Sequence, residues 1–158
     1  MFKRTAISFL AVSFALTGAA AAVEVKRKVE VDGEIAKVWS QVGGWCAIAD
    51  WLPALAKCEE SEAGGKKHRT LTTKDGAIIK ETMTASSATS YSYQIDESPL
   101  PVSNYTATFS VVPDADDKEE VNVMWTAKFD PKGKEDEAKK VINDLFKAGL
   151  DNVKKKLN

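Results

Sequence analysis

The chain has 158 residues, with 22 Lys and Arg against 23 Asp and Glu, a single His, two Cys and a net charge of −1. That near balance excludes the basic footprint of a nucleic-acid binder or of a protein held on an anionic membrane surface. The length suits one domain with a substantial core and is short for two.

Residues 1–22 read as a secretory signal. Lys3 and Arg4 precede an uncharged run over residues 5–16 that is rich in Ile, Leu, Val and Phe. Gly18 and Ala19, Ala20, Ala21 and Ala22 then supply the small residues of a cleavage site. The run is shorter than a bilayer span and no second one follows, so no stable membrane insertion is expected. Cleavage is expected after Ala20, Ala21 or Ala22; after Ala22 it leaves residues 23–158 as a single domain, and the alanine-rich junction points to a bacterial periplasm. In that oxidising compartment Cys46 and Cys58 have two readings. One is a bridge closing a loop of about a dozen residues, worth about 2–3 kcal/mol by chain entropy. The other is two buried thiols acting as small hydrophobes.

Val23, Val25, Val29 and Val31 alternate with Glu24, Lys26, Lys28 and Glu30, a half-buried strand; Arg27 breaks the pattern and belongs near an edge or a cavity mouth. Ile35, Ala36, Val38, Trp39 and Val42 fall at helical spacing, with Asp32 as the expected cap. Gly43-Gly44 ends that helix. Trp45, Ile48, Ala49 and Leu52 suggest a second short helix, stopped by Pro53.

Six further strands are predicted at residues 57–62, 67–73, 77–85, 90–96, 104–112 and 120–129, separated by Gly, Pro, Ser and Asp turn signals. Asp75-Gly76 is the sharpest of these. One face carries Leu71, Ile79, Met83, Tyr91, Tyr93, Ile95, Tyr105, Phe109, Val111, Val121, Val123, Trp125 and Phe129; the other is Thr, Ser, Lys, Gln and Asn. Such a sheet is antiparallel and needs a cover for its apolar face. The cover expected is a helix over residues 135–157, with Ala138, Val141, Ile142, Leu145, Phe146, Gly149, Leu150, Val153 and Leu157 as its stripe. Acidic residues open this helix and lysines close it, which suits its dipole. The fold class is α+β.

The order of elements, and residues along the whole of 23–158, resemble the START/Bet v 1-like (SRPBCC) superfamily and its polyketide cyclase/dehydrase branch. The resemblance is carried by Val38-Trp39, Trp51-Leu52-Pro53, Gly65 with His68-Arg69-Thr70-Leu71, and Gly76 with Glu81. Ser90-Tyr91-Ser92-Tyr93, Pro99-Leu100-Pro101-Val102, Tyr105, Trp125 and Phe129 continue it. With an export signal, the chain is also similar to the MxaD-like periplasmic proteins associated with methanol oxidation. The resemblance implies a helix-grip fold: a curved seven-stranded antiparallel sheet wrapped around the long C-terminal helix, with two short helices after the first strand. It also implies a cavity between sheet and helix. The pocket-closing loops of the plant abscisic acid receptors, which share the architecture, would correspond to residues 74–77 and 98–103. Their gate and latch sequences are not reproduced, so hormone sensing does not carry over.

Such a cavity suits a small hydrophobic molecule. Its expected lining is Trp45, Trp51, Leu71, Ile79, Tyr91, Tyr93, Tyr105, Phe109, Trp125, Leu145 and Gly149, all of which also read as ordinary core. Leu100, between Pro99 and Pro101, is suited to cap the entrance and is expected to fold over the ligand together with Val102, with Asp75-Gly76 as the opposing lip. Arg69 and Glu81 share the apolar face by strand parity. They read either as a buried ion pair or as a polar clamp, with Arg69 donating to a ligand carboxylate or hydroxyl.

No hydrolase elbow, zinc-protease helix or phosphate loop occurs, and nothing calls for a cofactor. His68 points to the wet face. The acidic tip formed by Asp114, Asp116, Asp117, Glu119 and Glu120 lacks calcium-loop spacing, so no metal is expected. Three functions stay open: a periplasmic carrier of a hydrophobic molecule, a cyclase or dehydratase using Glu81, Arg69 and a tyrosine, or an accessory protein contacting a periplasmic redox enzyme. The signal reading predicts an exported protein whose N-terminus lies close to Val23. N-terminal sequencing of periplasmic material checks this, and an intact Met1 would refute it.

Overall fold

A computed structural model describes residues 22–158, so the expected signal, apart from Ala22, lies outside the described residues. In chain order the elements are β1 (Val23–Asp32), α1 (Ile35–Val42), α2 (Ile48–Trp51), β2 (Leu55–Ala63), β3 (Lys66–Thr73), β4 (Ile78–Ser86), β5 (Ser90–Glu97), β6 (Val102–Pro113), β7 (Glu120–Pro131) and α3 (Glu135–Leu157). The strands form one antiparallel seven-stranded sheet in the order β1-β7-β6-β5-β4-β3-β2. This is the α+β helix-grip architecture. Among the described residues, no helix is long and apolar enough to cross a membrane.

Every pairing after β2 is a sequential hairpin, and β1 closes the order by pairing with β7 along its whole length, from Val23 opposite Phe129 to Asp32 opposite Glu120. Register shifts interrupt β2, β4 and β6. Bulges of this kind bend a strand and increase its twist, which curves the sheet toward its apolar face. The β3–β4 hairpin turns at Asp75-Gly76, where Gly76 takes a φ of +88°, a region that a side chain disfavours.

α3 lies against the concave face with Ala138, Ile142, Phe146, Gly149, Leu150 and Val153 buried. Val141, expected in the stripe, is instead 40% exposed, because it flanks the contact face while Ile142 takes its centre. The expected cap on α1 also differs. Asp32 stays in the β1–β7 ladder, Gly33 turns the chain out of it with a φ of +127°, and Glu34 occupies the cap position without a side-chain bond. Arg27 is half-buried on the edge strand, where its Nε donates to Asn143 Oδ1 of α3 at 2.9 Å.

Aromatic rings pack closely where α2 and β7 meet α3. The Trp125 and Phe146 rings stack with centroids 4.1 Å apart, and Trp51 packs edge-on to Trp125 at 5.3 Å and stacks on Phe109 at 5.0 Å. Asn152 Nδ2 donates to the Trp51 carbonyl at 2.8 Å, tying the two helices. Gly149 leaves room for these rings: a Cβ there would lie 3.0 Å from Trp51 and 3.2 Å from both Leu52 and Trp125. Gly149→Leu is therefore expected to lower stability by about 1–3 kcal/mol in urea unfolding, as overpacking does. An unchanged midpoint would contradict this.

Candidate functional site

The apolar face of the sheet is not completely filled. Beneath the β3–β4 hairpin lies a partly open cavity of about 380 Å³. Its wall combines Leu71 and Thr73 of β3, Ile79 and Glu81 of β4, Tyr93 and Ile95 of β5, Tyr105 of β6, Trp125 of β7 and Leu145 of α3. Ile48, Leu52, Ala54 and Leu55 close it from the α2 side, and Lys74, Asp75 and Leu100 stand at the loops. The volume is within the ~300–1,000 Å³ typical of small-molecule sites, and the lining is apolar with few polar groups, as such sites are.

Of the expected wall, Leu71, Ile79, Tyr93, Tyr105, Trp125 and Leu145 line this cavity, while Trp45, Trp51, Tyr91, Phe109 and Gly149 do not. Those five are buried in packing behind it. Trp45 meets Tyr91 edge-on at 5.1 Å, Tyr91 stacks with Phe109 at 5.7 Å, and Trp51 lies between Phe109 and Trp125. Strand parity places a residue on a face but not along it, so it does not separate residues under α1 and α2 from residues over open space. Ile48 and Leu52, whose spacing predicts only the second short helix, line the cavity, as does Leu55, which carries no sequence signal for it. Ile95, on the predicted apolar face, also lines the cavity.

Arg69 and Glu81 are directly opposite in the β3–β4 ladder and both are buried. Arg69 Nε donates to Glu81 Oε2 at 2.5 Å and Nη1 donates to the Trp45 carbonyl at 2.5 Å. The guanidinium carbon lies 3.8 Å from the Trp45 ring centroid, 5.0 Å from that of Tyr93 and 5.5 Å from that of Tyr91. This aromatic box offsets part of the cost of burying the cation. Only Glu81 reaches the cavity wall. Arg69 stands behind it, which corrects the expectation that Arg69 would present its donors to a ligand.

Burial pushes the Glu81 carboxyl up from the ordinary carboxylate range, while the Arg69 charge pulls against it. For Arg69, burial works downward but is outweighed by Glu81 and the flanking tyrosines, so the guanidinium stays charged. Burial likewise raises the Tyr93 and Tyr105 hydroxyls, which remain protonated donors at neutral pH. Trp125 Nε1 donates to the Tyr93 hydroxyl at 2.9 Å, orienting it.

Cys46 and Cys58 are bridged, with Cα atoms 5.5 Å apart, so the bridge and not the pair of free thiols is the reading that holds. The bond fixes the segment after α1, which carries the Trp45 carbonyl, to β2. His68 faces the wet side, its ring Nδ1 2.8 Å from Thr82 Oγ1. At the acidic tip, Asp114 Oδ1 accepts from the Asp116 and Asp117 amides and its Oδ2 from Asn122, a local turn network.

Removing one partner of the buried pair strands the other. Glu81→Ala should therefore cost about 3–5 kcal/mol, and Glu81→Ala combined with Arg69→Met distinctly less. Equal, small losses in urea melts would contradict a buried pair.

The geometry agrees with comparisons to known proteins. A solved structure of the protein XoxI from Bacillus cereus is 26% identical over 85% of this chain and 94% of its own, with a TM-score of 0.78. The ZhuI aromatase/cyclase from Streptomyces sp. R1128 shares the fold with a TM-score of 0.68 at 19% identity, over 86% of this chain and 93% of its own. Norcoclaurine synthase from Thalictrum flavum, solved with dopamine and hydroxybenzaldehyde, does so at 0.58 and 22%, over 92% and 95%. No curated protein matches the sequence. The model of the family described as polyketide cyclase / dehydrase and lipid transport matches residues 22–158, and the chain belongs to that family.

Proposed function

We propose that the protein is exported to the periplasm and there binds or carries a small hydrophobic molecule in the cavity between the sheet and α3. The observation that carries this reading is the cavity itself, a space of about 380 Å³ under an apolar wall. What sets this space apart is its lining, which gathers apolar side chains from the sheet, α2 and α3 around a few polar groups, as small-molecule sites do. Family membership supports the same class of ligand.

The loop of residues 98–103 is the lid in this reading. Pro99 and Pro101 lack amide donors and keep the segment out of the ladder between β5 and β6. The loop is anchored at its far end, where the Lys132 amide donates to the Pro101 carbonyl at 2.8 Å. Val102, expected to fold over the ligand with Leu100, is instead buried as the first residue of β6, opposite Pro131. Leu100 alone reaches the cavity, and Lys74 and Asp75 form the opposing lip.

A cyclase or dehydratase is the second reading, favoured by one observation: a carboxyl raised by burial, in the wall, near two protonated tyrosines. The ion pair to Arg69 argues for the carrier, because a carboxylate held by a permanent cation is a weak base. Leu100→Ser is expected to weaken binding of a hydrophobic fluorescent probe about tenfold while leaving Tm nearly unchanged, since Leu100 is only partly buried. Unchanged affinity, or a loss that only follows stability, would rule out the lid.

A further inference from the structure

We propose that the inner end of the cavity accepts a hydrogen bond on Glu81, and that the bound molecule is therefore apolar, uncharged and capped at one end by a hydroxyl. This rests on the reading of the cavity as a binding site and adds the chemical class of what enters it.

The charged groups of the wall are divided by depth. Lys74 and Asp75 are exposed at the hairpin turn, whereas Glu81 is 4% exposed. Along β3 and β4 away from that turn come Thr73, then Leu71 beside Ile79, then Arg69 beside Glu81. At about 3.3 Å per residue, Glu81 lies roughly 13 Å along the strand from Ala77, the first residue after the turn. A ligand that enters between Leu100 and Asp75 thus passes a largely apolar wall and meets no further charged group until its leading end reaches this carboxylate.

What Glu81 offers there follows from its partner. Oε2 takes the Arg69 Nε–H, and a carboxylate has further lone pairs on both oxygens. Arg69 offers the cavity nothing. Its Nε and Nη1 are engaged, its face is stacked on Trp45, and its Nη2, which has no partner among the described residues, is buried behind the wall. The inner end therefore presents an acceptor, and a ligand carboxylate would meet like charge. An ammonium is disfavoured as well, because Arg69 already balances Glu81 and a second buried cation would be unpaired. A hydroxyl fits on both counts. It donates to Glu81 and can accept from a tyrosine hydroxyl, since Tyr93 and Tyr105 both line the cavity and the Tyr93 oxygen already accepts the Trp125 N–H. Arg69 is then a positioning residue that holds the acceptor in place.

Four probes of one shape test this on the unmodified protein by calorimetry: naphthol, methoxynaphthalene, naphthoate and naphthylmethylamine. Naphthol is expected to bind about tenfold or more tightly than the other three, as a hydrogen bond to a charged group supports. Equal binding of naphthol and methoxynaphthalene, or a preference for naphthoate or the amine, overturns the hydroxyl rule and leaves the cavity reading standing. If none of the four binds, both fall. In the double variant Glu81→Gln with Arg69→Met, which leaves no stranded charge, the preference for naphthol over methoxynaphthalene should shrink to within about threefold. Retention of the full preference would also overturn the assignment to Glu81.

Discussion

A single helix cannot cover seven strands. Strands about 4.8 Å apart make a sheet roughly 30 Å wide, whereas a helix with its side chains is about 10–12 Å across. The apolar face formed by β1 to β7 must nevertheless leave water. The fold meets this constraint by curving the sheet at bulges in β2, β4 and β6 and by placing α1 and α2 beside α3. Large aromatic rings fill the remaining space at one end. Trp51 and Trp125 meet Phe109 and Phe146 there, and Gly149 lets the helix approach them closely. Toward the β3–β4 hairpin helices and rings line the space without filling it, and the cavity is what is left.

The buried ion pair is at the border between these two regions. Desolvating a guanidinium and a carboxylate costs several kcal/mol per ion, so the pair persists only with close geometry and additional partners. Arg69 has both: Glu81 directly across the ladder, the Trp45 carbonyl, and a box of three aromatic rings. The Cys46–Cys58 bridge lies next to this carbonyl in sequence and joins its segment to β2, the strand paired with the one that carries Arg69. Disulfide, tryptophan and ion pair therefore form one connected support, and the only polar group it presents to the cavity is Glu81.

Much of this was legible in the sequence because it depends on local periodicity. Alternation marked the strands from Val23 onward, and Asp75-Gly76 marked the hairpin. The 3.6-residue stripe from Ala138 to Val153 marked the helix that covers the sheet. Parity alone put Arg69 and Glu81 on the apolar face together, and the turn between them made their pairing a natural expectation. Family resemblance added the curvature and the cavity.

Tertiary structure decided what periodicity does not encode. Which aromatic residues line the cavity and which pack behind it depends on where α1 and α2 lie along the sheet, and no strand pattern carries that coordinate. The same holds for Arg69, whose parity is shared with Glu81 but whose guanidinium is taken by Trp45, a residue 24 positions away. Two cysteines in a sequence do not state their separation; only the packing of the α1–α2 segment on β2 brings their Cα atoms to 5.5 Å. Local pattern specifies which way a side chain faces, and long-range packing specifies what it meets.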